Sequence, residues 1–326
     1  MSAKSLYDFT IDPERIAQRP RAFGSQKLLV YHKQRDEIEH TTFELLPQLL
    51  QPGDLLVLND TQVVPAQVRL VEPIVGDCTS FLFLDPLCAV TSTMEVLLNT
   101  RVDVGSVLSL PGGLTFRVDE LVGGDPEVHR GSLFGLSGPL HEYLAGIGEM
   151  PLPPYVARVP DKEDEKAYQT SVAQVPGAIA APTAGLHFYP ALLDRLHDAG
   201  IHHMDRERYH VSVAAGAAIH QALQEKRRVI AVGTTATRVL ETCADSFRAP
   251  TPPADLSGEA GIFIYPPYEF KVLSGLFTNF HYPKTSVLTL TAAMVGSRDL
   301  LIDRIYKEAL DRDYLWYSYG DGMLVL

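Results

Sequence analysis

Apolar positions change their rhythm twice along this chain. Up to about Val64, apolar runs of strand length alternate with mixed segments. Leu28 to Tyr31 and Leu55 to Leu58 are two such runs, and Pro52-Gly53-Asp54 is a turn leading into the second. From about Ala66 to Leu140 the runs shorten and recur at Ser80–Leu84, Thr93–Leu98, Ser106–Leu110 and Leu114–Val118. Gly, Pro and Asp separate them, and no helical period emerges. This texture predicts a small all-β module, a barrel or a sandwich. Met150-Pro151-Leu152-Pro153-Pro154-Tyr155 favours extended backbone and reads as the return linker. Beyond it, strand and helix patterns alternate. Leu192, Leu193 and Leu196 share a helix face, with Gly200 as the stop. Arg228–Val232, Gly261–Tyr265 and Leu276–Phe280 read as strands, and a helix starts near Ala236. Ser297 caps a helix to about Asp311, with Leu301, Ile305 and Ala309 on one face. The expected fold class is α/β: a mostly parallel α/β domain formed by both chain ends, residues 1–65 and 150–326, with an inserted all-β barrel domain at residues 66–149.

Length and composition narrow the class. At 326 residues the chain exceeds one ordinary core, so two domains are expected. No run is long and apolar enough to span a bilayer, and acidic residues stand where a signal peptide would have its apolar core. Cys78, Cys88 and Cys243 are too scattered for a metal knuckle or a disulfide framework, which makes a reducing cytoplasm the expected setting. A net charge of −12 excludes a general nucleic-acid coat, which needs positive charge to displace counterions. It leaves room for an enzyme that grips one RNA loop through a local basic patch. Arg15, Arg19 and Arg21 form one candidate patch, and Lys226, Arg227 and Arg228 another. Both equally describe solvated surface clusters.

Four stretches carry candidate chemistry. Ala180-Ala181-Pro182-Thr183-Ala184-Gly185-Leu186-His187-Phe188 is nearly apolar yet holds one hydroxyl and one imidazole, with Gly185 allowing a tight turn between them. It suits a pocket floor, or a buried connection whose polar groups are simply satisfied. Gly233-Thr234-Thr235 opens a helix whose free amides can hold a carboxylate, followed by Arg238 and Glu241; an N-cap with a surface Arg–Glu pair is the plain alternative. Thr278-Asn279-Phe280-His281 ends a strand, where open α/β sheets place ligands, and offers an amide and an imidazole. Ser318-Tyr319-Gly320-Asp321-Gly322 suggests a tight turn presenting a carboxylate, and Asn59-Asp60-Thr61 follows another strand. His202, His203, Asp205 and Glu207 lie close in sequence but lack metal-ligand spacing, so no metal is expected. Dinucleotide, phosphate-loop and nucleophile-elbow motifs are absent.

Taken together, these segments resemble the S-adenosylmethionine:tRNA ribosyltransferase-isomerase family of queuosine biosynthesis. Tyr7-Asp8-Phe9, Leu58-Asn59-Asp60-Thr61, Gly148-Glu149-Met150-Pro151-Leu152-Pro153-Pro154-Tyr155, Tyr168-Gln169-Thr170, the Ala180–Phe188 run, Val229–Thr235, Thr278–His281 and Ser318–Asp321 occur in the family's order over nearly the whole chain. The resemblance implies an α/β domain with an inserted barrel. It also implies transfer and isomerisation of the ribosyl moiety of S-adenosylmethionine onto 7-aminomethyl-7-deazaguanine in the tRNA anticodon loop, giving epoxyqueuosine and releasing adenine and methionine. The sulfonium acidifies the ribose C5′ protons, so a positioned base generates an ylide. The resemblance makes His187, His281, Asp60 and Asp321 the candidate proton handlers. Asn59, Thr61, Thr183, Gly185, Glu207, Thr234, Thr235, Arg238, Thr278, Asn279 and Tyr319 are the candidate substrate contacts. S-adenosylmethionine is a co-substrate, no prosthetic group or metal is implied, and a monomer is expected.

The chain departs from the family pattern in a consistent direction. Gln62 and Gln67 stand where the family has arginine, Lys27 replaces another, and Asp205 replaces an imidazole. A deletion falls between Ile201 and Met204, where the family runs through a strand and a Gly-rich loop. The run Val213-Ala214-Ala215-Gly216 looks like that loop, but spacing assigns it to the next helix. The alternative reading is therefore a homologue without the tRNA reaction, a binding protein or pseudoenzyme, or S-adenosylmethionine chemistry on another acceptor.

Overall fold

The computed structural model describes residues 7–74, 78–88, 93–123, 128–204 and 210–326. The N-terminal part supplies β1 (Lys27–His32), β2 (Glu37–Thr42), β3 (Leu55–Val57) and β4 (Thr61–Val63). Then come β5 (Gln67–Ile74), β6 (Cys78–Phe83), β7 (Met94–Leu98), β8 (Val107–Leu110), β9 (Leu114–Gly123) and β10 (Val128–Phe134). The C-terminal part adds β11 (Val175–Ala178), β12 (His202–Met204), β13 (His210–Val211), β14 (Val229–Val232), β15 (Leu256–Ser257), β16 (Gly275–Asn279) and β17 (Gly322–Val325).

The main sheet runs β12-β3-β14-β16-β17-β1-β2. Four of its six pairings are parallel; β16–β17 and β1–β2 are antiparallel. Both faces are covered, so its central strands read as continuous apolar runs. Successive residues go to opposite cores: Val229, Ala231, Met323 and Val325 to one, Ile230, Val232 and Leu324 to the other. Helices α1 (Leu140–Ile147), α2 (Pro190–Asp198), α3 (Val213–Gln224), α4 (Thr234–Thr242) and α5 (Ser286–Val295) complete the longer elements. Helix α3 takes in Val213–Gly216, as spacing predicted. Ser297 caps the last helical segment through Oγ to the Leu300 amide, 3.1 Å away, but the Leu300–Tyr306 turns are π-helical.

The second sheet, β5-β6-β7-β10-β9-β8, is antiparallel throughout. Its end strands β5 and β8 pack together, so it is nearly a closed barrel. Alternating burial in β8 sends Leu108 and Leu110 inward to Phe81, Phe83 and Phe116, and α1 adds Leu140 and Leu144. The chain enters and leaves this barrel at one point. Gln67 and Glu149 exchange both amide hydrogen bonds there, at 3.3 and 2.7 Å. Gly148 permits that approach, because a Cβ would lie 1.8 Å from the Pro65 carbonyl oxygen.

The structure differs from the sequence reading in three places. Residues 261–265 form no strand; Arg238 takes the carbonyls of Ala260 and Ile262, so they are withdrawn from ladder pairing. The sequence pattern does not flag β5, β10 or α1. The deletion does not remove the strand after α2, because His202–Met204 pairs parallel with β3 as β12. No helix among the described residues is long and apolar enough to cross a membrane.

Candidate functional site

Strands β3, β14 and β16 are parallel neighbours, so their carboxyl ends lie along one sheet edge. This edge brings Asn59-Asp60-Thr61, Gly233-Thr234-Thr235 and Thr278–His281 together, at the place where open α/β sheets bind ligands. The Ala180–Phe188 run packs beneath it. Thr183–His187 is one short 3₁₀ segment, which seats Thr183 half-buried at its start and His187 buried at its end. Gly185 needs no left-handed backbone. Its value is close approach, since a Cβ would sit 2.9 Å from the Thr170 methyl.

His187 is 3% exposed and stacks on Phe43, with ring centroids 4.3 Å apart and 9° between planes. Asn279, at the end of β16, donates from Nδ2 to His187 Nε2 at 3.0 Å and to the Tyr317 carbonyl at 3.1 Å. Tyr317 presents that carbonyl from the left-handed region, φ 67°, a conformation that costs a non-glycine residue about 1 kcal/mol. Burial, with the Arg21 charge as a lesser cause, pushes the His187 imidazole down to about 3. The ring is therefore neutral at physiological pH. His281, whose Nε2 lies 2.7 Å from the Thr278 hydroxyl, is likewise pushed down by burial, to about 4. Neither ring carries a proton as imidazolium near pH 7, which narrows what the two expected proton handlers can do.

Asp321 is fully buried ahead of β17. Its carboxylate accepts from the Lys27 amide at 2.6 Å, the Leu315 amide at 2.7 Å and the Arg21 guanidinium. Burial pushes its carboxyl up, against the pull of these three donors. The group is a junction between three chain segments. Arg21, Phe23, Gln169, His187, Ser318 and Tyr319 are among the residues that line a cavity of about 310 Å³ beside it. Tyr319 donates its hydroxyl to Asp164 at 3.2 Å, and Arg158 grips Asp164 with two bonds of 2.6 Å.

A larger cleft, about 1140 Å³, collects Thr61, Thr235 and Arg238 with Val175–Ala178 and residues 258–260. Arg238 and Glu241 do not form the expected surface pair. Arg238 holds the carbonyls of Ala260 and Ile262. Glu241 is buried and accepts from the amides of Lys271, Val272 and Leu273 at 2.9, 3.0 and 3.2 Å. Thr234 is half-buried beside Thr235, after Gly233 at φ 94°. Asn59 Oδ1 accepts the Thr61 amide at 3.0 Å. Asp60 is buried, and its carbonyl accepts the amides of Gln174 and Val175. Asp205 and Glu207 lie outside the described residues, and no group of metal-ligating side chains occurs among those described.

The five arginines of the two candidate basic patches are all paired with carboxylates, while Lys226 is exposed. Arg15 pairs with Asp313, Arg19 with Asp161, Arg21 with Asp321, Arg227 with Glu225 and Arg228 with Asp54. Sequence reading named Arg21 as part of a candidate basic patch or a solvated surface cluster, and did not single out Phe43, Tyr317 and Phe23. No local signal marks them, because Phe43 reaches His187 from 144 residues away and Tyr317 contributes through its backbone.

The family model described as "Queuosine biosynthesis protein" matches residues 4–203 and 199–325, two stretches that overlap at 199–203, around the place where the sequence reading puts a deletion. The chain is similar to the S-adenosylmethionine:tRNA ribosyltransferase-isomerase of Desulfitobacterium hafniense, at 37% identity over 98% of each chain. It is also similar to the protein of that name from Thermosynechococcus vestitus, at 38% identity over 98% of this chain and 95% of the other. Among solved structures it resembles an S-adenosylmethionine tRNA ribosyltransferase from Thermotoga maritima, with a TM-score of 0.57 and 27% identity over 98% of this chain and 100% of that one.

Proposed function

The chain belongs to the family of queuosine biosynthesis proteins, and on that premise we propose that it is an S-adenosylmethionine:tRNA ribosyltransferase-isomerase. Its substrates are S-adenosylmethionine and a tRNA anticodon loop carrying 7-aminomethyl-7-deazaguanine; its products are epoxyqueuosine in tRNA, adenine and methionine. The observation that carries this reading is identity of 36–38% running end to end through relatives of one name. The sheet edge supports it, since a sealed pocket floor and a wider cleft suit two substrates of unequal size.

In this reading the chain's own residues position substrates and handle protons. His187 and His281 act as neutral imidazoles that do not arrive charged, and His187, whose Nε2 already accepts from Asn279, acts as a donor. Asp60 is the carboxylate candidate beyond the carboxyl end of β3; it is buried, and its neighbour Thr61 lines the wider cleft. The free first-turn amides of α4, with Thr234 and Thr235, suit the methionyl carboxylate. Asp321 serves by holding Arg21 and the 315–321 turn in place. We also propose the domain division at 65/66 and 149/150. Its support is that the barrel core draws only on residues between Val68 and Leu144.

The test is incubation of the purified protein with S-adenosylmethionine and tRNA bearing the aminomethyl base, followed by mass spectrometry. Adenine and an epoxyqueuosine nucleoside are expected. Binding of S-adenosylmethionine without either product would sink the assignment.

A further inference from the structure

We propose that Asn279 is a positioning residue that fixes His187 as its Nδ1–H tautomer, and that the cavity lined by His187 takes a neutral purine-type ring, with that Nδ1–H donating to a ring lone pair. This rests on the reading of the site given above and names the ligand chemistry of its smaller cavity.

The tautomer follows from hydrogen counting. Asn279 Nδ2 carries two hydrogens, and two acceptors lie at bonding distance: the Tyr317 carbonyl at 3.1 Å and His187 Nε2 at 3.0 Å. Turning the amide over would set Oδ1 against the Tyr317 carbonyl, two lone pairs face to face, so the carbonyl decides the amide orientation. Nε2 must then accept, and a neutral imidazole that accepts at Nε2 carries its hydrogen on Nδ1. An imidazolium would oppose N–H to N–H, in a buried site beside the Arg21 guanidinium.

Nδ1 has no hydrogen-bond partner among the described residues, although His187 is 3% exposed. A buried donor left unmade is costly unless a ligand or water completes it. One face of the ring is taken by Phe43 and Nε2 by Asn279, which leaves Nδ1 as its remaining polar atom. The cavity volume, about 310 Å³, lies at the low end for small-molecule sites and suits one fused ring. Arg21 is already paired with Asp321, and the exposed Glu163 and Lys166 that also line the cavity bring one charge of each sign, so the lining has no excess positive charge to favour an anionic group. At the rim, Phe23 is 66% exposed and stacks on Tyr189, leaving an aromatic surface for a flat ring. Two rings in the proposed reaction share this chemistry: the adenine of S-adenosylmethionine and the deazaguanine of the tRNA.

The experiment uses the full chain with ¹⁵N-labelled histidine. Long-range ¹H–¹⁵N correlation should show His187 protonated at Nδ1, and adenine should shift that resonance and bind by calorimetry. Titration with 3-deazaadenine and 7-deazaadenine identifies the accepting nitrogen, whose removal should weaken binding about tenfold. Free 7-aminomethyl-7-deazaguanine is the second arm; whichever ring shifts His187 is the occupant, and failure of both overturns the proposal. His187→Asn places an amide N–H near the Nδ1 position and should keep most of the affinity. His187→Gln, which reaches instead toward the Nε2 position, should lose about tenfold. Equal loss in the two folded variants overturns the proposal. In Asn279→Asp the carboxylate should draw the proton to Nε2, a spectroscopic change that a merely structural residue would not cause. An Nε2–H tautomer in the parent protein also overturns the proposal, even if the protein turns over tRNA. Adenine binding through Nδ1–H without turnover would leave this inference standing and sink the assigned reaction.

Discussion

Replacement of Asp321 separates a holding role from a chemical one. In Asp321→Ala three donors lose their acceptor at once: the Lys27 amide, the Leu315 amide and the Arg21 guanidinium. The site is fully buried on the carboxylate side, so water cannot replace the oxygen atoms freely. Breaking a buried ion pair by removing one partner costs about 3–5 kcal/mol, and the stranded amides place this case toward the upper end. Asp321→Asn keeps one carbonyl oxygen but turns an N–H toward a donor, which should cost roughly 2–3 kcal/mol. At ~2 °C per kcal/mol for a chain of this size, melting should fall by ~6–10 °C for Ala and ~4–6 °C for Asn. Trp316 is the sole tryptophan, is fully buried and lies beside the Leu315 amide, so its fluorescence reports the transition directly. An Asp321→Ala protein that melts within ~2 °C of the parent yet has lost turnover would refute this reasoning and return Asp321 to the proton handlers.

Further tests address other junctions. Gly148→Ala should cost about 3 kcal/mol, because the added Cβ meets the Pro65 carbonyl oxygen at 1.8 Å; an unchanged urea midpoint would show that the barrel entry is not tightly packed. Glu241→Ala should cost about 3 kcal/mol and loosen residues 268–273, read as faster amide exchange at Lys271, Val272 and Leu273; unchanged protection there contradicts the assignment. His187 and His281 are held neutral, at about 3 and about 4, while unfolded histidine takes up a proton near 6.5. Their stabilising contribution is therefore full above pH ~6.5 and lost as pH falls toward 4, on the order of 2–3 kcal/mol each. His281→Gln should flatten the fall in stability between pH 6.5 and 4 measured by urea titration, and an identical slope would count against a neutral ring held there.

Much of this protein is written locally. Strand-length apolar runs, the shift to short spaced runs after Ala66, and the cap at Ser297 depend on neighbours in sequence, so a mostly parallel α/β sheet and the barrel were legible before any contact was known. The ordered motifs made His187 and Thr278–His281 candidate site residues for the same reason. What they do was not legible. Burial depends on the whole fold, and burial is the main cause that pushes both imidazoles well below their ordinary range. The hydrogen-bond direction at His187 depends on a backbone carbonyl of Tyr317, which carries no signature in its side chain. The pairings of Arg15, Arg21 and Arg228 were not legible because their carboxylates lie far along the chain, whereas Arg227 pairs with Glu225 two residues away. The deletion near Met204 read as a lost strand because sequence spacing counts residues. The free edge of β3 instead supplied backbone partners to the three residues that remained. Sequence fixes which groups are present and their local conformation. Tertiary structure alone sets their solvent and partners, and charge state and hydrogen-bond direction follow from those two.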